Sequence, residues 1–197
     1  TLQRSGALPL HKLAVTGGAA SGKSTVVSFL SEMGLTTISA DAEAAKIRQD
    51  PDSMAELGRL LGGAGSPSLD ELRSALEDQD KRRIINSFFH GSVWQAILVS
   101  SAQVVEVPLL FESCLWPFFE EVWTVSCPYE ERLKRLTLRE LPRSRAEQLL
   151  AIQVQDEARI ALCDVVLDSS HPLDALKSDV AAAFRLLPYG IGSQNRL

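Results

Sequence analysis

Short apolar runs alternate along the chain with segments whose apolar residues recur every three to four positions. The runs at 12–16 (KLAVT), 36–39 (TTIS), 103–107 (QVVEV), 122–126 (VWTVS) and 164–167 (DVVL) are mostly apolar, not alternating. Strands covered by helices on both faces carry that pattern. Helical periodicity predicts helices over 22–33, 53–61, 79–100, 129–140, 144–161 and 172–186. Strand and helix in alternation point to parallel βαβ units. Pro142 offers no amide donor and restricts Leu141, so a helix break is expected there. Two stretches leave this rhythm. Residues 45–101 hold helices around a Gly/Ser/Pro loop (GGAGSPS) and no strand, which predicts an inserted helical subdomain. Residues 129–155 form a second, arginine-rich helical excursion, and the tail after Pro188 reads as a frayed end.

Composition narrows the class. The chain has 197 residues, 45% apolar and 23% charged, with a net charge of −5. Those values exclude a disordered tail or a disulfide miniprotein and suit one large domain. The acidic balance argues against a general nucleic-acid or anionic-membrane binder. It is not uniform: residues 132–145 carry +5, leaving −10 to the rest. Cys114, Cys127 and Cys163 lack metal-site or redox-pair spacing and are expected to be buried, reduced thiols. The first ten residues show no leader-like apolar core, and no uncharged apolar run approaches ~20 residues. A soluble, cytoplasmic protein is expected.

The most specific signal is Gly17-Gly18-Ala19-Ala20-Ser21-Gly22-Lys23-Ser24, which fits G-x-x-x-x-G-K-[ST] between a strand and a helix. Glycines let the backbone curl so that successive amides surround a phosphate, and the following helix adds its positive end. Gly18, Ala20, Ser21, Gly22, Lys23, Ser24 and Thr25 are therefore the expected ATP-binding residues. Lys23 would reach the β- and γ-phosphates and the Ser24 hydroxyl would hold Mg²⁺. No Asn-Lys-x-Asp stretch occurs and no Asp-x-x-Gly follows a strand, which sets aside a regulatory GTPase. Small size and two helical excursions suit a small-molecule kinase with a lid.

Asp41 follows the second strand, at the edge where open α/β sheets bind ligands. Two roles stay open for it from the residues alone: base toward an acceptor hydroxyl, or helix N-cap before AEAAKI. Glu106, on the third strand, either supports Mg²⁺ or its water shell, or faces solvent at a strand edge. Arg132, Arg135 and Arg139 share one helical face. That face is either solvated and paired with Glu130 and Glu131, or swings over ATP.

Three segments taken together, VTGGAASGKSTVVSFLSEMGLTTISADAEAAK, VPLLFES and the arginine-bearing stretch with CDVVLDSS, resemble the dephospho-coenzyme A kinase family over about 12–186. The resemblance implies a three-layer α/β phosphate-loop kinase with five parallel strands ordered 2-3-1-4-5. It implies one kinase domain over 1–197, with 45–101 as acceptor-binding subdomain and 129–155 as lid. It implies transfer of the ATP γ-phosphoryl to the ribose 3′-hydroxyl of dephospho-CoA, the last step of coenzyme A synthesis. Asp41 is then the catalytic carboxylate, with Lys23 and the lid residue Arg139. His90, Pro108, Leu109, Leu110 and Glu112 would contact the acceptor. The chain departs from the family pattern at Ala19-Ala20 (usually Ile-Gly), at His90-Gly91 (usually His-Pro), and at Ala45 and Leu149, where arginines are common. Ser169 or Ser170 stands for an asparagine after the last strand. Alternatives are a kinase of another nucleoside or nucleotide, or an ATP-binding homologue with weak catalysis. Trp94, Trp116 and Trp123 read as packing residues and His171 as structural or exposed.

Overall fold

The computed structural model describes residues 10–187; the reading of the tail after Pro188 and that of the first nine residues lie outside it. The elements run β1 (Leu10–Gly17), α1 (Lys23–Glu32), β2 (Thr37–Ser39), α2 (Ala40–Gln49), α3 (Pro51–Leu60), α4 (Leu69–Ala75) and α5 (Gln79–Val99). They continue with β3 (Val104–Glu106), a 3₁₀ turn (Trp116–Phe118), β4 (Phe119–Ser126), α6 (Tyr129–Leu138), α7 (Arg143–Ala151), α8 (Asp156–Leu162), β5 (Val165–Asp168) and α9 (Leu173–Phe184). The five strands form one sheet in the order β2-β3-β1-β4-β5, the order the resemblance implied. The pairs of β1 with β3 and β4, and of β4 with β5, are parallel.

The central strands are apolar because both their faces are covered. Leu13, Ala14 and Val15 of β1, Val104 and Val105 of β3, and Val122 and Trp123 of β4 are fully buried. Val26, Phe29 and Leu30 of α1 and Leu176 and Val180 of α9 pack with Leu13, Val15, Val104 and Trp123 in one core. Trp123 is thus core, as expected.

Contacts divide the chain into two units. Among the described residues, one contains those up to Thr37 together with those from Ser101 on, and the other is Ile38–Ser100. The second unit has its own core of Met54, Leu57, Ala75 and Ile85, flanked by Leu61, Leu72, Ile84, Phe88 and Phe89. Its helices start on capping side chains: Ser39 for α2, Asp50 followed by Pro51 for α3, and a Ser68/Glu71 capping box for α4.

Four sequence expectations change. Helices α2 and α4 lie outside the spans that periodicity predicts, although the cap alternative at Asp41 already implied a helix over AEAAKI. In α2 no residue is buried, so no apolar stripe marked it, and it rests on its cap and helix-forming residues. The predicted helix at 144–161 is two helices, α7 and α8, interrupted at 152–155. The Asp41 cap is overturned, because Ser39 takes that place by accepting the Ala42 amide at 3.5 Å. Of the three cysteines, all free thiols, only Cys127 is buried; Cys114 is exposed and Cys163 half-buried. The helical run does break near Leu141: α6 stops at Leu138, Glu140 takes a left-handed φ of 63°, and Pro142 is the N-cap of α7.

Candidate active site

The segment from Gly17 to Ser24 leaves the carboxyl end of β1 and enters α1. Its amides can converge because the backbone repeatedly takes left-handed torsions: Gly17 has φ 147°, Ala20 58° and Gly22 97°. At Gly17 the room is also closed, since a Cβ would collide with the Val125 carbonyl of β4. Ala20 is the exception to the glycine rule, an L-residue in a region that costs roughly 1–2 kcal/mol. Lys23 folds back so that Nζ donates to the carbonyls of Gly17 at 3.1 Å and Gly18 at 2.9 Å. The ammonium therefore stands over the loop at the amino end of α1. Ser24 is exposed beside it, and Thr25 is half-buried.

The loop is held from three directions within the same unit. Gln153 Oε1 accepts the Ala19 amide at 2.9 Å. Arg135 of α6 donates from Nη1 to the Ala20 carbonyl at 3.3 Å and to Ser169 Oγ at 3.0 Å, and from Nη2 to the Ser169 carbonyl at 2.7 Å. Ser169 Oγ in turn donates to the Ser21 carbonyl. The methyls of Ala19 and Ala20 pack with Leu141 and Leu149 against a cluster of Leu133, Leu136, Ala146 and Leu150 from α6 and α7. Leu149 thus packs on the same apolar cluster as the loop.

A second network lies beneath. Arg159 of α8 is 1% exposed. It donates to Asp156 at 2.7 Å and to Glu112 at 3.4 Å, and Glu112 also accepts the Val154 amide at 3.1 Å. Glu112 is thus tied to α8 and the segment before it. Only Arg159 is buried in this network, the Asp156 and Glu112 side chains being 22% exposed, so removing a carboxylate leaves the guanidinium charge behind in the interior. Arg132 of α6 lies against Gly18 and is nearly buried.

Beside the loop opens a cavity of about 360 Å³. Ala20, Gly22 and Thr25 form one wall, Arg135 and Arg139 another, and Ser169, His171 and Leu173 a third. Arg139 ends α6 and is exposed. His171 is exposed and lies 3.7 Å from Asp168. The Ser170 side chain and amide hold the Asp168 carboxyl below its ordinary range, the amide hydrogen bond being 2.8 Å.

The remaining expected residues fall in separate places. Glu106 is half-buried on β3, opposite Val15 in the ladder. In the turn after β3, Leu110 is buried, Leu109 exposed and Pro108 half-buried. Asp41, in the first turn of α2, and His90, on α5, are exposed residues of the Ile38–Ser100 unit.

Sequence reasoning missed Arg159 and Asp156 and did not distinguish Arg132 from its neighbours. Their i, i+3 spacing marked Asp156 and Arg159 as a pair, but the burial of Arg159 could not be read from it. The solvated basic face on α6 is corrected: Arg135 does pair with Glu131, at 3.3 Å, but Arg132 is buried and only Arg139 is open.

The family model for dephospho-CoA kinase matches residues 12–174. A dephospho-CoA kinase of Deinococcus radiodurans is 33% identical over 195 residues, spanning 91% of this chain and 94% of that protein. The crystal structure of TT1252 from Thermus thermophilus superposes with a TM-score of 0.76 at 25% identity, covering 92% of this chain and all of that one. Dephospho-CoA kinase from Campylobacter jejuni shares the fold at a TM-score of 0.66 and 22% identity, covering 91% and 98%.

Proposed function

The chain belongs to the dephospho-CoA kinase family, and from that premise we propose how its residues divide the work. It is an ATP-dependent kinase that transfers the γ-phosphoryl group to the ribose 3′-hydroxyl of dephospho-CoA, completing coenzyme A. Phosphoryl transfer needs little covalent chemistry from a protein; positioning and charge stabilisation do most of it.

The observation that carries the assignment is the loop with Lys23 Nζ over the Gly17 and Gly18 carbonyls. Its amides, the Lys23 ammonium and the amino end of α1 bind the β- and γ-phosphates. The adenosine occupies the cavity bounded by Thr25, Arg139, Ser169 and His171, with Arg139 closing over it. Asp41 orients the acceptor hydroxyl and takes its proton as the oxygen attacks γ-phosphorus. Its support is its position just past β2, with Ser39 filling the cap that would otherwise occupy it. The 45–101 insertion, with His90, and the turn Pro108-Leu109-Leu110 with Glu112 border the acceptor, and 129–155 serves as the lid. The protein works in the cytoplasm.

The Ser24 hydroxyl and the Glu106 carboxylate are hard oxygen donors suited to Mg²⁺, which keeps most of its ligands as water and phosphate oxygen. When bound, Mg²⁺ neutralises charge on the transferring phosphates. Ser24 is exposed at the start of α1, free to turn toward it.

The deciding experiment compares ATP turnover with dephospho-CoA, AMP, CMP and a nucleoside, in wild type and in Asp41→Asn. Phosphorylation confined to dephospho-CoA, with ATP binding kept and the rate down at least ~100-fold in Asp41→Asn, is expected. An unchanged rate removes Asp41 as the base.

A further inference from the structure

Arg132 stands apart from the other arginines of α6. Its side chain is 10% exposed. It reaches under the loop so closely that a Cβ at Gly18 would collide with its Nη1. Its Nε is buried with no hydrogen-bond partner among the described residues. Its ion-pair partner, Asp156, is 3.7 Å away and gives its short bond to Arg159 at 2.7 Å. Glu112, the other carboxylate of the network, also faces Arg159.

A guanidinium has five donors in a rigid fork, and a buried one with so few acceptors is costly. Arg135 nearby shows the contrast, with three hydrogen bonds to Ala20 and Ser169. Arg132 is held in direction but not saturated. It meets the loop at Gly18, one of the two residues whose carbonyls hold the Lys23 ammonium. An anion brought to the loop would therefore meet Lys23 and Arg132 together.

We propose that Arg132 is a ligand of the terminal phosphate of bound ATP and stabilises the charge that gathers on it during transfer. The proposal rests on the kinase reading above. Transfer itself is unchanged: the acceptor oxygen bonds to γ-phosphorus, the bond to the β–γ bridging oxygen breaks, and ADP leaves with that electron pair. Arg132 donates hydrogen bonds to the equatorial oxygens throughout and exchanges no proton, since guanidinium stays charged. Asp156 acts as a positioning residue, keeping the fork turned toward the loop.

The test is the affinity of Arg132→Met for ADP and for a non-hydrolysable ATP analogue, measured beside kcat. A ligand of the terminal phosphate contributes to ATP and not to ADP. The expected result is ADP affinity within about twofold of wild type, analogue affinity down at least ~10-fold, and kcat down roughly 100-fold. A strut beneath the loop would weaken both nucleotides equally, because the same amides hold the β-phosphate; that result, or no change in either, overturns the proposal. If Arg132→Met does not fold, Arg132→Lys is read the same way. Lysine keeps the charge but loses the fork, so a partial loss specific to the ATP analogue supports the role and an unchanged ADP-to-ATP ratio refutes it. A wild-type protein that ignores dephospho-CoA but shows the Arg132-dependent preference for ATP over ADP would remove the acceptor assignment and leave this inference standing.

Discussion

Gln153 accepts the backbone amide of Ala19 through Oε1 at 2.9 Å, joining the segment after α7 to the phosphate loop, 134 residues earlier in the chain. The bond is neutral and half-buried, so its net contribution is about 1 kcal/mol. Its mechanical effect is larger, because it fixes the end of a segment interrupted at 152–155. Gln153→Ala should lower the melting temperature by only ~2–4 °C while amide exchange in α7 and the loop rises. Exchange that stays at wild-type levels would show that the apolar contacts of Ala19 and Ala20 alone secure the loop.

Ala20 occupies φ 58°, a torsion that glycine adopts freely. Relief of strain in Ala20→Gly is worth roughly 1–2 kcal/mol. Against it stand the greater freedom of glycine in the unfolded chain, about 0.5–1 kcal/mol, and loss of a methyl packed against the α6–α7 cluster, up to ~0.8 kcal/mol. The terms nearly cancel. Denaturant unfolding should place Ala20→Gly within ~0.5 kcal/mol of wild type, while branched Ala20→Val should cost at least ~2 kcal/mol. A glycine variant more stable by over ~1.5 kcal/mol would mean that the methyl packing counts for little.

Arg135 on α6 and Arg139 at its C-cap lie four residues apart yet should fail in different ways. Arg135 is spent on Ala20 and Ser169, so Arg135→Ala should lower stability by about 2–3 kcal/mol and weaken every nucleotide through the loosened loop. Arg139 is exposed at the cavity, so Arg139→Ala should leave the melting temperature unchanged and raise the KM for ATP about tenfold. Thermal melts read beside steady-state kinetics separate the two. Equal stability losses in both variants would contradict this division.

What could be read from sequence followed from how tightly chemistry restricts the residues. Gly17, Gly22, Lys23 and Ser24 must recur at fixed spacing for a backbone to enclose phosphate, and the loop was legible for that reason. The apolar strands were legible because both faces are covered, and Pro142 because it cannot continue a helix. Arg132 and Arg159 were not, since arginine ordinarily lies at the surface and its burial depends on partners from distant segments, such as Glu112. Helix α2 was invisible to a periodicity argument because none of its residues is fully buried and Ile47 is its one large apolar side chain. The left-handed torsion at Ala20 could only be raised as a question from sequence, since alanine carries no mark of it.

Leu57 is fully buried at the centre of the Ile38–Ser100 core, beside Met54, Ala75 and Ile85. Leu61, Leu72, Ile84, Phe88 and Phe89 close around these four residues, so truncating Leu57 leaves a cavity inside the cluster. Leu57→Ala should cost about 2–5 kcal/mol, enough to loosen a unit of this size. The loop, Arg135, Ser169 and the cavity belong to the other unit, whose core contains none of these residues. ATP binding by Leu57→Ala should therefore stay within about threefold of wild type, while the KM for dephospho-CoA rises at least ~10-fold if this unit forms the acceptor subdomain. Calorimetric titration with ATP and kinetics with varied dephospho-CoA measure the two separately. A matched loss of both affinities would mean that the nucleotide site depends on the helical unit for its own order, and the assignment of 45–101 to the acceptor alone would fall.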